Sequence, residues 1–263
     1  MKLILFISVL FVFTITNQKI ADSLSQESLS VKQIGSGYDT RDNYSNYLNQ
    51  GFQLACVGIG DCTTLIEQGY KPENIRMSVN MSNWHSDINA AINLGVREFF
   101  IDEPIRQHTE DTVRAIANYT KDMNVILTLS ESEFMPTILF KFGYKGNIGQ
   151  LVCLAKSLPV MPQLSCHSHW DSGWWSFRLF SAYIFYVDPR VHFRWLKENY
   201  PDNFDCVWIG YDETEEQKQL IFEELVKLQV NHILIFPYFD GQLKYDSVGM
   251  EINAELAKQY GWI

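Results

Sequence analysis

From residue 31 onward the chain repeats one pattern: a short apolar or alternating run, a loop, then a stretch with apolar residues at helical spacing. Runs at 33–39, 53–59, 75–82, 98–103, 124–131, 161–169, 207–212 and 232–238 predict eight strands. Between them, 63–68 and 87–94 predict helices stopped by Gly69 and Gly95, where a left-handed C-terminal residue is wanted. The segment 109–121 puts Val113, Ile116 and Ala117 on one face, and 214–228 does so with Leu220, Ile221, Leu225 and Leu228. A last helix is expected at 252–260. In 134–157, Gly143, Gly146 and Gly149 interrupt the pattern, and either an irregular helix or a ninth strand at 151–155 fits.

Strands alternating with helices imply a parallel sheet, and eight strands is the number that closes a (β/α)8 TIM-type barrel. The competing arrangement is a doubly wound open α/β sheet. Residues 31–263 are expected to form one domain. Residues 22–30 form a polar leader without periodicity. Ahead of it, Lys2 and the apolar run 3–13 form a short basic region and an apolar segment too short to span a bilayer comfortably. Residues 1–21 are therefore expected to be a signal peptide, giving a secreted or periplasmic protein with no stable membrane insertion after cleavage.

Composition narrows the partners. The formal net charge of -10 repels nucleic acid and anionic membranes, which leaves neutral or cationic ligands. There is no glycine-rich phosphate loop, so no nucleotide cofactor is expected, and the prediction is for no cofactor at all. Five cysteines is an odd count, so a disulfide framework does not hold the fold together. The sequence leaves the oligomeric state open.

In a (β/α)8 barrel the site is built where strands end at their carboxyl side. Candidates there are Asn80 after the third strand, Asp102-Glu103-Pro104 after the fourth, Glu131 after the fifth, His167 and His169 after the sixth, and Tyr211-Asp212-Glu213 after the seventh. His167 and His169 share strand parity with Ser165 and point into the barrel, while Leu164 and Cys166 face the helices. Trp170, Trp174 and Trp175 offer rings for stacking on a flat ligand. Two adjacent carboxylates over the mouth can split their roles, one ionised and one holding a proton.

At Asp102-Glu103-Pro104 the chain resembles glycoside hydrolase barrels, many of which carry an acid/base glutamate after strand four. The resemblance implies a glycosidase acting on a carbohydrate. Glu103 would be the acid/base, Asp102 its orienting partner, and Glu213 or Glu131 the second carboxylate. Asn80, His167, His169, Trp170, Trp174, Trp175 and Tyr211 would line the sugar subsites. Two other readings stay open: a metal-dependent hydrolase or phosphodiesterase using His167 and His169, and a non-catalytic barrel that binds a glycan or protein. No metal ligand set is predicted, because two histidines lack a clear third ligand.

Overall fold

The computed structural model describes residues 33–36, 53–133, 137–168, 170, 187–209, 213–235, 239–240, 244–245 and 255–262. Among the described residues, eight parallel strands close into a barrel in sequential order: β1 (Gln33–Ser36), β2 (Gln53–Val57), β3 (Ile75–Ser78), β4 (Glu98–Asp102), β5 (Ile126–Glu131), β6 (Gln163–His167), β7 (Phe204–Ile209) and β8 (His232–Ile235). Closure comes from β1 against β8, with Gln33 opposite Ile233 and Ile34 opposite Leu234. The open-sheet alternative is thereby excluded. A short antiparallel pair, β9 (Phe239–Asp240) and β10 (Lys244–Tyr245), follows β8.

The helices are α1 (Gly58–Glu67), α2 (Trp84–Asn93), α3 (Glu110–Thr120), α4 (Thr137–Lys141), α5 (Gly146–Lys156), α6 (Arg190–Asn199), α7 (Glu215–Lys227) and a last turn-and-a-half at 255–259, α8. The segment expected to be an irregular helix or a ninth strand is thus helical in both of its parts. Among the described residues, no helix is long and apolar enough to cross a membrane.

Strand parity divides two cores. Cys56, Met77, Phe99, Ile101, Leu129, Leu164, Cys166, Val207 and Ile233 point outward and pack under the helices, where they join Ile88, Val113, Ile116, Leu151, Phe193 and Ile221. The alternate positions Ala55, Phe100, Cys206 and Trp208 fill the barrel interior. Phe100 and Trp208 meet edge to face across it, ring centres 5.2 Å apart. Below them Arg76 donates from Nε (3.1 Å) and Nη2 (2.9 Å) to Glu98 Oε2, both side chains buried. An ion pair on inward positions of neighbouring strands satisfies charges that would otherwise be stranded without water.

Gly95 ends α2 at φ +98, and a Cβ there would stand 3.2 Å from the Cβ of Pro72. Both the left-handed backbone and the close approach require glycine. Thr214 starts α7 with a capping box: its hydroxyl accepts from Gln217 N, and the Gln217 side chain accepts from Thr214 N. The expected site residues His169, Trp174, Trp175 and Tyr211, the neighbouring Asp212, and the expected signal and leader at 1–30 lie outside the described residues. None of the five cysteines forms a disulfide among the described residues.

Candidate active site at the carboxyl end of the barrel

β4, β5 and β6 are consecutive neighbours, and their inward-facing terminal residues meet. The register sets Asp102 opposite Ser130 and Ser130 opposite Ser165, two residues before His167. His167 Nε2 lies 3.2 Å from Asp102 Oδ1 and 3.1 Å from Ser130 Oγ. The imidazole stacks flat on the indole of Trp208 from β7, ring centres 4.6 Å apart and planes 8° off parallel. Four successive strands therefore fix one ring: two by polar contacts and β7 by an aromatic platform, with β6 supplying the ring itself. The Asp102 side chain is 36% exposed and His167 12%, so the carboxylate faces the open mouth and the imidazole stands behind it.

Glu103 does something else. It sits at φ 48, in the left-handed region that non-glycine residues seldom occupy. Its carboxylate accepts from the Ser132 hydroxyl, and Arg106 Nη1 donates to both oxygens at 2.8 and 3.0 Å. Burial alone would raise this carboxyl. The Ser132 and Arg106 contacts outweigh it and hold Glu103 below the usual range. A group held ionised cannot store the proton that a general acid delivers near neutrality.

Glu131 lies on β5, next to the strand that carries Asp102, and does not stand across the mouth from it. Glu131 shares the outward face of Leu129, is fully buried, and accepts from Ile105 N at 2.9 Å through Oε2. Its other oxygen has no hydrogen-bond partner. Burial, opposed by the Ile105 amide and reinforced by the charge on Glu103, pushes its pKa up to about 7. Glu213 is also buried and accepts from Ser168 Oγ at 3.0 Å, just beyond the end of β6. Glu133, likewise buried, accepts from Ile148 N in the first turn of α5, where a carboxylate satisfies an orphan helix donor. Glu131 thus ties a loop to its strand, Glu133 ties the end of β5 to α5, and Glu213 ties the start of α7 to the loop after β6.

Asn80 is exposed just past β3, and its Oδ1 accepts from Ser82 N at 2.9 Å, an arrangement that shapes its own turn. Trp170 is half-buried with the Arg190 guanidinium 4.8 Å above its ring. Among the described residues, no group of three His, Cys, Asp or Glu side chains converges as a metal site.

Ser130, Ser132, Trp208 and Arg106 were not among the residues singled out from sequence. For the two serines a signal existed: Thr128, Ser130 and Ser132 alternate with Leu127, Leu129 and Glu131, a polar inward face.

No family model and no curated protein matches the sequence. Solved structures do match. An arginine decarboxylase of Paramecium bursaria Chlorella virus aligns at 16% identity and TM-score 0.50 over 83% of this chain and 62% of its own. The chain therefore spans about three fifths of that enzyme. An N-(5'-phosphoribosyl)anthranilate isomerase of Pyrococcus furiosus aligns at 11% identity and TM-score 0.50 over 87% of this chain and 99% of its own. A triosephosphate isomerase of Bartonella henselae gives 12%, 0.50, 87% and 99%. At these identities the likeness shows the fold, a TIM-type barrel. The similar barrels are decarboxylases and isomerases, and this corrects the expectation of a glycoside hydrolase with a carbohydrate substrate. The geometry gives the physical reason: Glu103 is held ionised, Glu131 is buried on the outward face of its strand, and Glu213 is buried on the Ser168 hydroxyl. The alternatives of a metal-dependent hydrolase and of a glycan- or protein-binding barrel fall with that expectation. The architecture is shared with these three barrels, which are enzymes of other classes.

Proposed function

We propose that this chain is an enzyme that transfers a proton on a small neutral or cationic substrate at the barrel mouth, with Asp102 as the catalytic base and His167 behind it. The observation that carries this reading is the shared contact of His167 Nε2 with Asp102 Oδ1 and Ser130 Oγ over Trp208. Such an assembly holds a carboxylate at a fixed angle toward the mouth and places a second proton carrier in contact with it, so a proton taken by one group can pass to the other. The Trp208 platform and the Ser130 hydroxyl restrict the imidazole to one orientation, which lowers the reorganisation needed during transfer.

The charge of the site supports the substrate class. Asp102 is the accessible carboxylate of the described mouth, and Glu103 is already neutralised by Arg106. An uncompensated acid on a chain of net charge -10 attracts cations and disfavours phosphates and carboxylates there. Proton removal next to a carbonyl or an amine is the reaction type that a lone carboxylate base with a histidine partner performs without a second carboxylate.

The test is a screen by NMR in deuterated water. Basic amino acids, diamines and neutral carbonyl compounds are incubated with the full chain, and loss of carbon-bound proton signal is followed. A substrate that exchanges or converts with wild type should do so about 10²–10⁴-fold more slowly with Asp102→Asn. Equal rates in wild type and Asp102→Asn would overturn the assignment.

A further inference from the structure

A cavity of about 670 Å³, whose lining includes neither Asp102 nor His167, follows α5 and reaches α3 on one side and α6 on the other. Its walls carry Arg114 from α3, Lys145 and Lys156 from the two ends of α5, and the rings of Tyr144, Trp195 and Tyr200. Among the described residues none of the three cations forms an ion pair. Arg114 Nη1 donates to Ser157 Oγ. Lys145 Nζ donates to Phe140 O at 2.9 Å and lies 3.9 Å from the centre of the Phe140 ring and 5.4 Å from that of Trp195. Lys156 Nζ lies 5.0 Å from the centre of the Tyr200 ring. Three cations resting on rings and on neutral oxygens keep most of their charge uncompensated.

On a chain of net charge -10, that concentration of positive charge in one hollow is a local reversal. Glu110 is the one acid on the walls. Burial already lowers the pKa of Lys145, so an anion beside it would relieve a cost the free protein carries. Gly149 keeps the floor open: a Cβ there would come 2.6 Å from the Cβ of Lys145, so any larger residue would push that side chain off Phe140. The volume falls in the range of small-molecule sites, roughly 300–1,000 Å³. Tyr144 is 63% exposed, and Trp195 and Tyr200 are half-buried, so ring faces remain available beside the charges.

We infer that this cavity along α5 is a second binding site, separate from the mouth, for a phosphorylated small molecule that carries an aromatic ring, the chemistry of a nucleotide. The phosphates sit at Arg114 and Lys156, which the Arg114 contact with Ser157 sets at one end of α5, where charge-assisted hydrogen bonds are strongest, and Lys145 adds its charge from the other end. The base stacks on the exposed rings.

Cys153 supplies a local reporter. It lines the cavity and is exposed, while Cys56, Cys62, Cys166 and Cys206 are buried, so a thiol reagent applied to the native chain modifies Cys153 first. The experiment titrates the full chain with ADP by calorimetry and follows iodoacetamide labelling of Cys153 by mass spectrometry, with adenosine and inorganic pyrophosphate as separate arms. ADP should bind and slow the labelling, and adenosine or pyrophosphate alone should bind at least about tenfold more weakly. The double variant Arg114→Gln, Lys156→Gln changes two exposed residues. It should keep the wild-type circular dichroism and Tm while losing at least about tenfold in ADP affinity. The inference is overturned if ADP does not bind, if it binds without protecting Cys153, if either fragment binds as tightly as ADP, or if the folded double variant binds ADP like wild type.

Discussion

Replacing Glu131 by Gln should make the protein more stable at pH 8 and leave it little changed at pH 4. Glu131 is fully buried, with one oxygen held by the Ile105 amide and the other without a hydrogen-bond partner. Its carboxyl titrates at about 7 in the folded chain against an ordinary 4.5. The folded state therefore binds the proton more tightly than the unfolded one, and stability falls as pH rises from about 4.5 to about 7. The loss amounts to about 3 kcal/mol once both states are ionised, at 1.36 kcal/mol per pH unit. Glutamine retains an acceptor for Ile105 N and never ionises, so the variant avoids that loss. A domain of this size moves about 2–4 °C in Tm per kcal/mol, which makes the shift measurable. Urea unfolding of wild type and variant at pH 4, 6 and 8 yields the difference directly, and every titration common to the two proteins cancels. The variant's advantage should grow from near zero or below at pH 4 to about 3 kcal/mol above the pH 4 value at pH 8. A difference that does not change with pH would refute the buried, protonated Glu131.

Other outcomes follow from the same structure. His192 is buried, and burial lowers its pKa to about 4 from 6.5, so the unfolded chain binds the proton more tightly and stability should fall as pH drops through that window. His192→Phe should flatten the acid limb of a pH–stability profile. Arg76→Met strands the buried Glu98 carboxylate and should cost about 3–5 kcal/mol in urea unfolding, with Arg76→Met, Glu98→Leu recovering much of it. Thr214→Ala removes the capping box of α7 and should cost about 1 kcal/mol by the same assay. Deleting residues 1–21, the expected export signal, should leave cooperative unfolding intact.

Much of the architecture was legible in the sequence because each barrel strand carries its own signal. Four to six β-prone residues, a turn and an amphipathic helix recur, and the count of eight matched the closed barrel. Boundaries were less legible where local and tertiary preferences disagree. α1 begins at Gly58, five residues before the predicted start, where the predicted strand 53–59 still ran. In the fold, Gly58 takes a left-handed entry at φ 75, and Thr63 and Thr64 hydrogen-bond back to Ile59 and Gly60 carbonyls. α6 was passed over because its buried face includes His192 among charged neighbours, and a buried imidazole carries no apolar signature.

The site divides in the same way. Asp102 and His167 stood on inward positions at strand ends, so strand parity alone brought them to the mouth. Glu131 was assigned there although its parity with Leu127 and Leu129 turns it toward the helices. Glu103 follows Asp102 at once, and its role depends on a left-handed turn and on Arg106 three residues on, a contact no periodicity reports. Trp208 was not singled out within its strand, and only the closed ring of strands places it flat under His167.

The central claim is that Asp102, backed by His167, moves a proton at the mouth. Its most direct test compares proton exchange by wild type, Asp102→Asn and His167→Asn on one substrate from the NMR screen, each variant first shown folded by its Tm. Asp102→Asn should lose about 10²–10⁴-fold and His167→Asn should also be slowed, the loss appearing in kcat. Wild-type kcat in both folded variants would contradict the account.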